Sequence, residues 1–114
     1  MDEYKGNDFY CDVALTHKGR LKIVYEDEDV LAFHHTKPFW SSVHIVCVPK
    51  KHIASFTNYP AEDQSIVDHL FQIARQISSD IERQHGAARV MTNLGEYQDS
   101  KHFHIHIAYG KPRG

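Results

Sequence analysis

Residues 102–108 read HFHIHIA. Three histidines, His102, His104 and His106, alternate with Phe103, Ile105 and Ile107. Side chains two apart on a β-strand share a face, and neighbours take opposite faces. On a strand the three imidazoles therefore form one row, spaced about 7 Å apart at a rise of about 3.4 Å per residue. Phe103, Ile105 and Ile107 then enter a core. On a helix the same imidazoles would fan over about 200°, at 3.6 residues per turn. Aromatic and β-branched content favours the strand as well. The segment thus demands an apolar layer on one side and a use for three imidazoles on the other, with His104 expected to face a solvent-accessible site.

The rest of the chain supplies the layers. KIVYED (22–27) reads as a strand that ends in the charged turn EDED, and VLAFHH (30–35) as its hairpin partner. TKPFWSS (36–42) is a loop broken by Pro38. VHIVCVPK (43–50) is a β-branched strand closed by Pro49. The period then changes. Between Pro60 and His85 the apolar residues fall at Ile66, Val67, Leu70, Ile73, Ala74, Ile77 and Ile81, a helical stripe. Pro60 suits a first turn, Glu62 and Asp63 suit the positive end of the helix dipole, and Gly86 suits a C-cap. ARVMTNL (88–94) returns to strand, LGEYQDSK (94–101) is a turn and HFHIHIAY (102–109) is the last strand. The order β-β-β-α-β-β predicts an α+β domain: an antiparallel five-stranded sheet with one long helix on a face. The domain is expected over 20–110, with a lead-in at 1–19 and a short tail at 111–114.

With 114 residues, the chain has room for one core. A net charge of −2, with both signs mixed throughout, argues against binding a nucleic-acid polymer. No apolar run approaches the roughly 18 residues of a membrane span, and MDEYKGNDFY is too acidic and polar for a secretory signal. Of the two cysteines, Cys47 reads as a small buried hydrophobe and Cys11 has no evident partner. No disulfide framework is indicated, so a reducing cytoplasmic setting is expected.

Three uses of the imidazole row compete. It is a polar outer face that happens to use histidine, a metal site built on the H-x-H pair, or a nucleophilic and electrostatic apparatus acting on phosphate. Hydrolytic metal sites usually recruit carboxylates, and none lies within or directly after this strand. No metal and no organic cofactor is therefore expected. His44 heads the strand HIVCVPKKH and shares a face with Val46 and Val48. A lone strand histidine is more often structural, but this strand can lie beside 102–108. Lys50-Lys51-His52 reads as a solvated strand end. Asn93 and Gly95 mark a turn, and Gln98 brings an amide near the row.

Taken together these residues resemble the histidine triad (HIT) family. HFHIHIA matches its pattern of three histidines alternating with hydrophobic residues, KIVYEDEDVLAFHH resembles its first hairpin, and VHIVCVPKKHI resembles its central strand. Within the family the chain looks most like the short Hint-like, or protein kinase C interacting protein-like, branch. The resemblance implies that His104 attacks the α-phosphorus of a nucleotide and carries it as a nucleotidyl-histidine. It implies that His102 and His106 hold and tune His104, and that His44 completes the catalytic set. Phe33, His34, His35, Asn93, Gln98 and Asp99 would line the nucleotide site. His35 stands where members commonly carry an acidic residue against the ribose, and Asp99 where a hydroxyl residue is common. Cys11 has no companion at Asp8 or Ala14 for the zinc site of some relatives. The implied substrate is a purine nucleoside phosphoramidate or dinucleoside polyphosphate, and the implied assembly is a homodimer whose sheets join. Two other readings are a nucleotide- or protein-binding module without turnover and a metal-dependent hydrolase.

Overall fold

The computed structural model describes residues 21–36, 38, 40 and 42–112. The expected lead-in over 1–19 with Cys11, and residues 113 and 114 of the expected tail, lie outside the described residues. Strands β1 (Ile23–Glu26), β2 (Val30–His34) and β3 (Val43–Pro49) precede helix α1 (Gln64–His85), and β4 (Arg89–Met91) and β5 (Ile105–Tyr109) follow it. All pairings are antiparallel, in the order β1-β2-β3-β5-β4. The α+β architecture is the one expected.

Side-chain chemistry sets the turns. Oδ1 of Asp27 accepts the backbone N–H groups of Asp29 and Val30, which closes the EDED turn. Oδ2 of the same carboxylate accepts from Tyr25 Oη at 2.7 Å and His69 Nε2 at 2.5 Å, which ties α1 to the hairpin. A single 3-10 turn, Ala61–Asp63, leads into α1, with the buried Asp63 carboxylate 2.5 Å from Lys51 Nζ. Gly86 ends the helix at φ 86°, its N–H on the Glu82 carbonyl. Of the helical stripe, Val67, Leu70, Ile73, Ala74, Ile77 and Ile81 are buried, and Ile66 is half-buried at its rim.

The strand register sorts the sheet into two faces. Val30, Ala32, Ile45, Cys47, Ile105 and Ile107 pack under α1 with Ile53 and Phe103. Burial raises the Cys47 thiol to about 12 and keeps it protonated. The opposite face carries Leu31, Phe33, Val46 and Val48, and beside them the imidazoles. Each strand is shorter than expected, and two of them by three residues or more. β5 begins at Ile105 rather than His102, because the Pro49 carbonyl opposite is taken by the His102 side chain and Phe103 N–H turns to the Ile53 carbonyl. β4 stops at Met91, where the Thr92 hydroxyl bonds the His104 carbonyl. No described helix is long and apolar enough to cross a membrane.

Candidate functional site

Register alone builds the centre of the site. Val46 on β3 faces His106 on β5, and His44 faces Ala108 one row on. His35 lies just past β2, and its backbone N–H bonds the His44 carbonyl at 2.8 Å. His35, His44, His106 and His104 thus run diagonally across three strands. The His35 and His44 rings stack at 4.4 Å, Nε2 of His44 meets Nδ1 of His106 at 2.8 Å, and the His106 and His104 rings meet edge to face at 4.8 Å. His34, next to His35, pairs with Ile45 and is exposed on the other face of the sheet. The structure therefore separates His34 from the other candidates.

His104 is anchored through its own chain. Its Nδ1 donates to the His102 carbonyl at 2.8 Å. A carbonyl can only accept, so the proton sits on Nδ1 and the neutral ring carries its lone pair on Nε2. His104 was expected on an accessible surface. It is only 4% exposed, closed in by its return bond and by the edge of His106. His102 is fully buried, with Nε2 donating to the Pro49 carbonyl at 2.7 Å and its ring edge-on to His52 at 5.2 Å. His102 thus braces the carbonyl that orients His104. Each of these imidazoles has a ring nitrogen committed to a protein hydrogen bond, which fixes the orientation of its ring.

Burial and neighbouring imidazoles disfavour the charged forms of His44 and His106. Burial lowers His44 to about 4, and the nearby His104 adds to the effect. Burial likewise lowers His106 to about 3, with His104, His44 and His35 contributing.

The remaining candidates surround the row unevenly. Phe33 is buried beneath it with Leu31, Val46 and Val48. Asn93 is half-buried just past β4. Gln98 is buried, and its amide donates to the Ala54 carbonyl at 2.8 Å. Asp99 is exposed. Two supports were missed in the sequence. Thr92 Oγ1 holds the His104 carbonyl at 2.8 Å, and Lys101 Nζ spans the Gly95 and Gln98 carbonyls at 3.1 and 2.9 Å, fixing the loop that carries Gln98. Neither has a local pattern to announce it.

Known proteins resemble this chain over most of its length. A family model described as scavenger mRNA decapping enzyme C-term binding matches residues 7–112. An uncharacterised HIT-like protein of Synechocystis sp. is 33% identical over 91 residues, covering 79% of each chain. Another from Buchnera aphidicola subsp. Acyrthosiphon pisum is 32% identical over 91 residues, covering 78% of this chain and 79% of its own. Among solved structures, a histidine triad protein from Clostridium difficile superposes with a TM-score of 0.76 at 31% identity, covering 98% of this chain and 97% of the other. A HIT family hydrolase from Clostridium thermocellum gives 0.76 at 26% identity, covering 97% and 96%.

Proposed function

The chain belongs to the histidine triad (HIT) family, and from that premise we propose that it cleaves a nucleotide conjugate at its α-phosphate through a nucleotidyl-histidine on His104. One observation carries this reading: the bond from Nδ1 of His104 to the His102 carbonyl, which commits the lone pair to Nε2. Attack by Nε2 forms a nitrogen–phosphorus bond as the bond from phosphorus to the leaving group breaks. The ring becomes cationic, and its Nδ1–H bond to a carbonyl strengthens as that charge develops. Water then attacks phosphorus, the imidazole departs neutral, and a nucleoside monophosphate is released. Another acceptor in place of water makes the same intermediate a transferase.

The substrate class is a nucleoside phosphoramidate or dinucleoside polyphosphate, with purine nucleotides preferred by analogy with the Hint-like branch. His44 and His106 hold the row beside the nucleophile, and His102 braces it. Phe33, His35, Asn93, Gln98 and Asp99 are the residues proposed to surround the nucleotide. His34 is left out, because it lies on the other face. The working unit is a homodimer joined along the β4 edge. Supporting this, β4 ends the sheet and Val90 is 56% exposed, with Phe56 and Phe71 exposed on the adjoining groove. Val90→Lys should lower the mass seen in sedimentation, and an unchanged mass rejects that edge.

Binding without turnover is the second reading. The closed His104 and the Gln98 amide committed to Ala54 favour it. Intact-protein mass spectrometry after mixing with adenosine 5′-phosphoramidate, quenched without acid, separates the two. A transient adenylyl adduct, absent from His104→Ala, supports covalent catalysis. Bound nucleotide with neither adduct nor product supports the binding module.

A further inference from the structure

Three backbone carbonyls hold the approach to His104, and all three come from one short segment. The Pro49 carbonyl accepts from His102 Nε2 at 2.7 Å, the Ile53 carbonyl from the Phe103 N–H at 2.6 Å, and the Ala54 carbonyl from the Gln98 amide at 2.8 Å. His52, between them in the chain, lies edge-on to the His102 ring at 5.2 Å. The His102 carbonyl in turn accepts from Nδ1 of His104 at 2.8 Å. The position of residues 49–54 is therefore passed to the His104 ring through its two preceding residues.

That segment has no ladder of its own. β3 ends at Pro49, and residues 50–54 belong to no helix or strand. It is tied down at separate points instead. At its start, the Lys50 N–H bonds the Asp29 carbonyl at 2.7 Å and Lys50 Nζ meets Glu26 at 2.7 Å. Near its end, the Ile53 side chain is buried in the core with Val67 and Leu70 of α1. Between these points, Lys51 Nζ donates to Oδ1 of Asp63 at 2.5 Å.

Asp63 occupies a position that usually serves the helix. It is the N-cap of α1, where an aspartate ordinarily accepts N–H groups of the first turn. Its side chain makes no such bond, and the carboxylate, 4% exposed, turns to Lys51 instead. A buried carboxylate requires a partner, whereas a lysine that is 53% exposed can keep its charge in water. The buried end of the pair thus sets the geometry and draws Lys51 to the start of α1. The same helix packs on Ile105 and Ile107, so the pair registers residues 49–54 against the element that also seats β5.

We propose that Lys51 and Asp63 are positioning residues for His104. Their ion pair fixes residues 49–54, whose carbonyls hold His102, Phe103 and Gln98, and through His102 it maintains the Nδ1–H tautomer of His104. The proposal rests on the reading of His104 as the nucleophile. Both residues act through the backbone, so their loss should lower kcat and leave KM nearly unchanged. A pair that only supported the fold would change stability alone.

The test uses the full-length chain with nitrogen-15 histidine, read by long-range proton–nitrogen spectra, alongside turnover of adenosine 5′-phosphoramidate. The spectrum of His104→Asn assigns the His104 ring signals. In the parent that ring should be a single Nδ1–H tautomer. Lys51→Met removes the cation and keeps the stem, and Asp63→Ala removes the carboxylate so that no buried charge is left unpaired. In each, the tautomers should mix and kcat should fall about tenfold with KM within about twofold; a misplacement of about 1 Å costs about 10²-fold, and the buried Ile53 limits the shift to less than that. Lys51→Arg should restore both readouts. The double variant should be no worse than either single one, because the same pair is lost in all three. A single tautomer and parental kcat in both single variants, with only urea unfolding shifted, overturns the proposal. A change confined to KM overturns it too, as do losses that add in the double variant. If the parent forms neither adduct nor product, the proposed function falls and the ring spectra decide alone. A single tautomer in Lys51→Met and Asp63→Ala then overturns the positioning role, and mixed tautomers in both uphold it.

Discussion

Acid is expected to destabilise this protein through two histidines of its own site. His44 and His106 are lowered by burial, and by the imidazoles around them, to about 4 and about 3. An imidazole in the unfolded chain titrates near about 6.5. Between pH 6.5 and pH 5 the unfolded chain therefore takes up both protons while the folded chain takes up almost none. A base with a depressed folded pKa contributes fully above its unfolded value and loses that contribution as the pH falls. The interval is about 1.5 pH units at about 1.4 kcal/mol per unit, so each imidazole removes about 2 kcal/mol of stability.

Other titrating groups act differently over this interval. The Asp27 hydrogen bond raises His69, so that pair contributes fully below about pH 6.5 and weakens only as the pH rises through the folded value. Burial pushes the Asp27 carboxyl up, but bonds from His69, Tyr25 and the N–H groups of Asp29 and Val30 outweigh it and hold it well below the usual range. Asp27 therefore keeps its contribution at pH 5. Urea unfolding at pH 7.5 and pH 5, for the parent and for His106→Gln, isolates the two imidazoles. The parent should lose about 4 kcal/mol, less what His69 returns, and the variant about 2 kcal/mol less than the parent. An identical pH difference in both proteins, or a parent equally stable at both pH values, refutes the assignment.

Three further outcomes follow from packing and backbone geometry. Phe103, fully buried against Phe56 and Phe71 at 6.1 and 6.2 Å, should cost about 3–5 kcal/mol on truncation to alanine, read by denaturant unfolding. A loss below about 1 kcal/mol would mean that the faces of residues 102–107 are assigned backwards. His69→Gln should cost about 1 kcal/mol near pH 6 and less at high pH, where the parent has lost the charge on His69; a loss that does not vary with pH rejects the ion pair. Gly86→Ala should lower stability by about 1 kcal/mol through backbone strain alone, since a Cβ there meets nothing within 4 Å at φ 86°; an unchanged melting temperature rejects the left-handed cap.

The fold was legible wherever a local period carried it. The 3.6-residue stripe from Val67 to Ile81 and the apolar residues Phe103, Ile105 and Ile107 enter the core as read, while the imidazole side of the same strand, read as accessible, is buried as well. Gly86 announces the helix end because few other residues accept its backbone angle. The start of β5 was not legible, because it depends on a bond between His102 and Pro49, 53 residues apart. Neighbouring letters cannot encode a competition between a side chain and a ladder for one carbonyl. The Asp27–His69 tie spans 42 residues and the Arg89–Trp40 stack joins a loop to an edge strand, so both arise only once the sheet has formed.

The site shows the same division more sharply. Alternation places His104 and His106 on one face, and that much is local. It cannot choose between His34 and His35, which are adjacent letters on opposite faces. The choice follows from the β2–β3 register, in which His34 faces Ile45 and His35 takes the next position, beside His44. One residue of slip would exchange the two and break the diagonal from His35 through His44 to His106. The fully buried Leu31, Ala32, Phe33, Val46, Cys47 and Val48 oppose that slip, because shifting β2 by one would bring apolar side chains of the β2–β3 core onto the wrong faces. The apolar pattern of the hairpin therefore does chemical work. By fixing the register to bury its own side chains, it determines which imidazole stacks on His44 and completes the row that ends at His104.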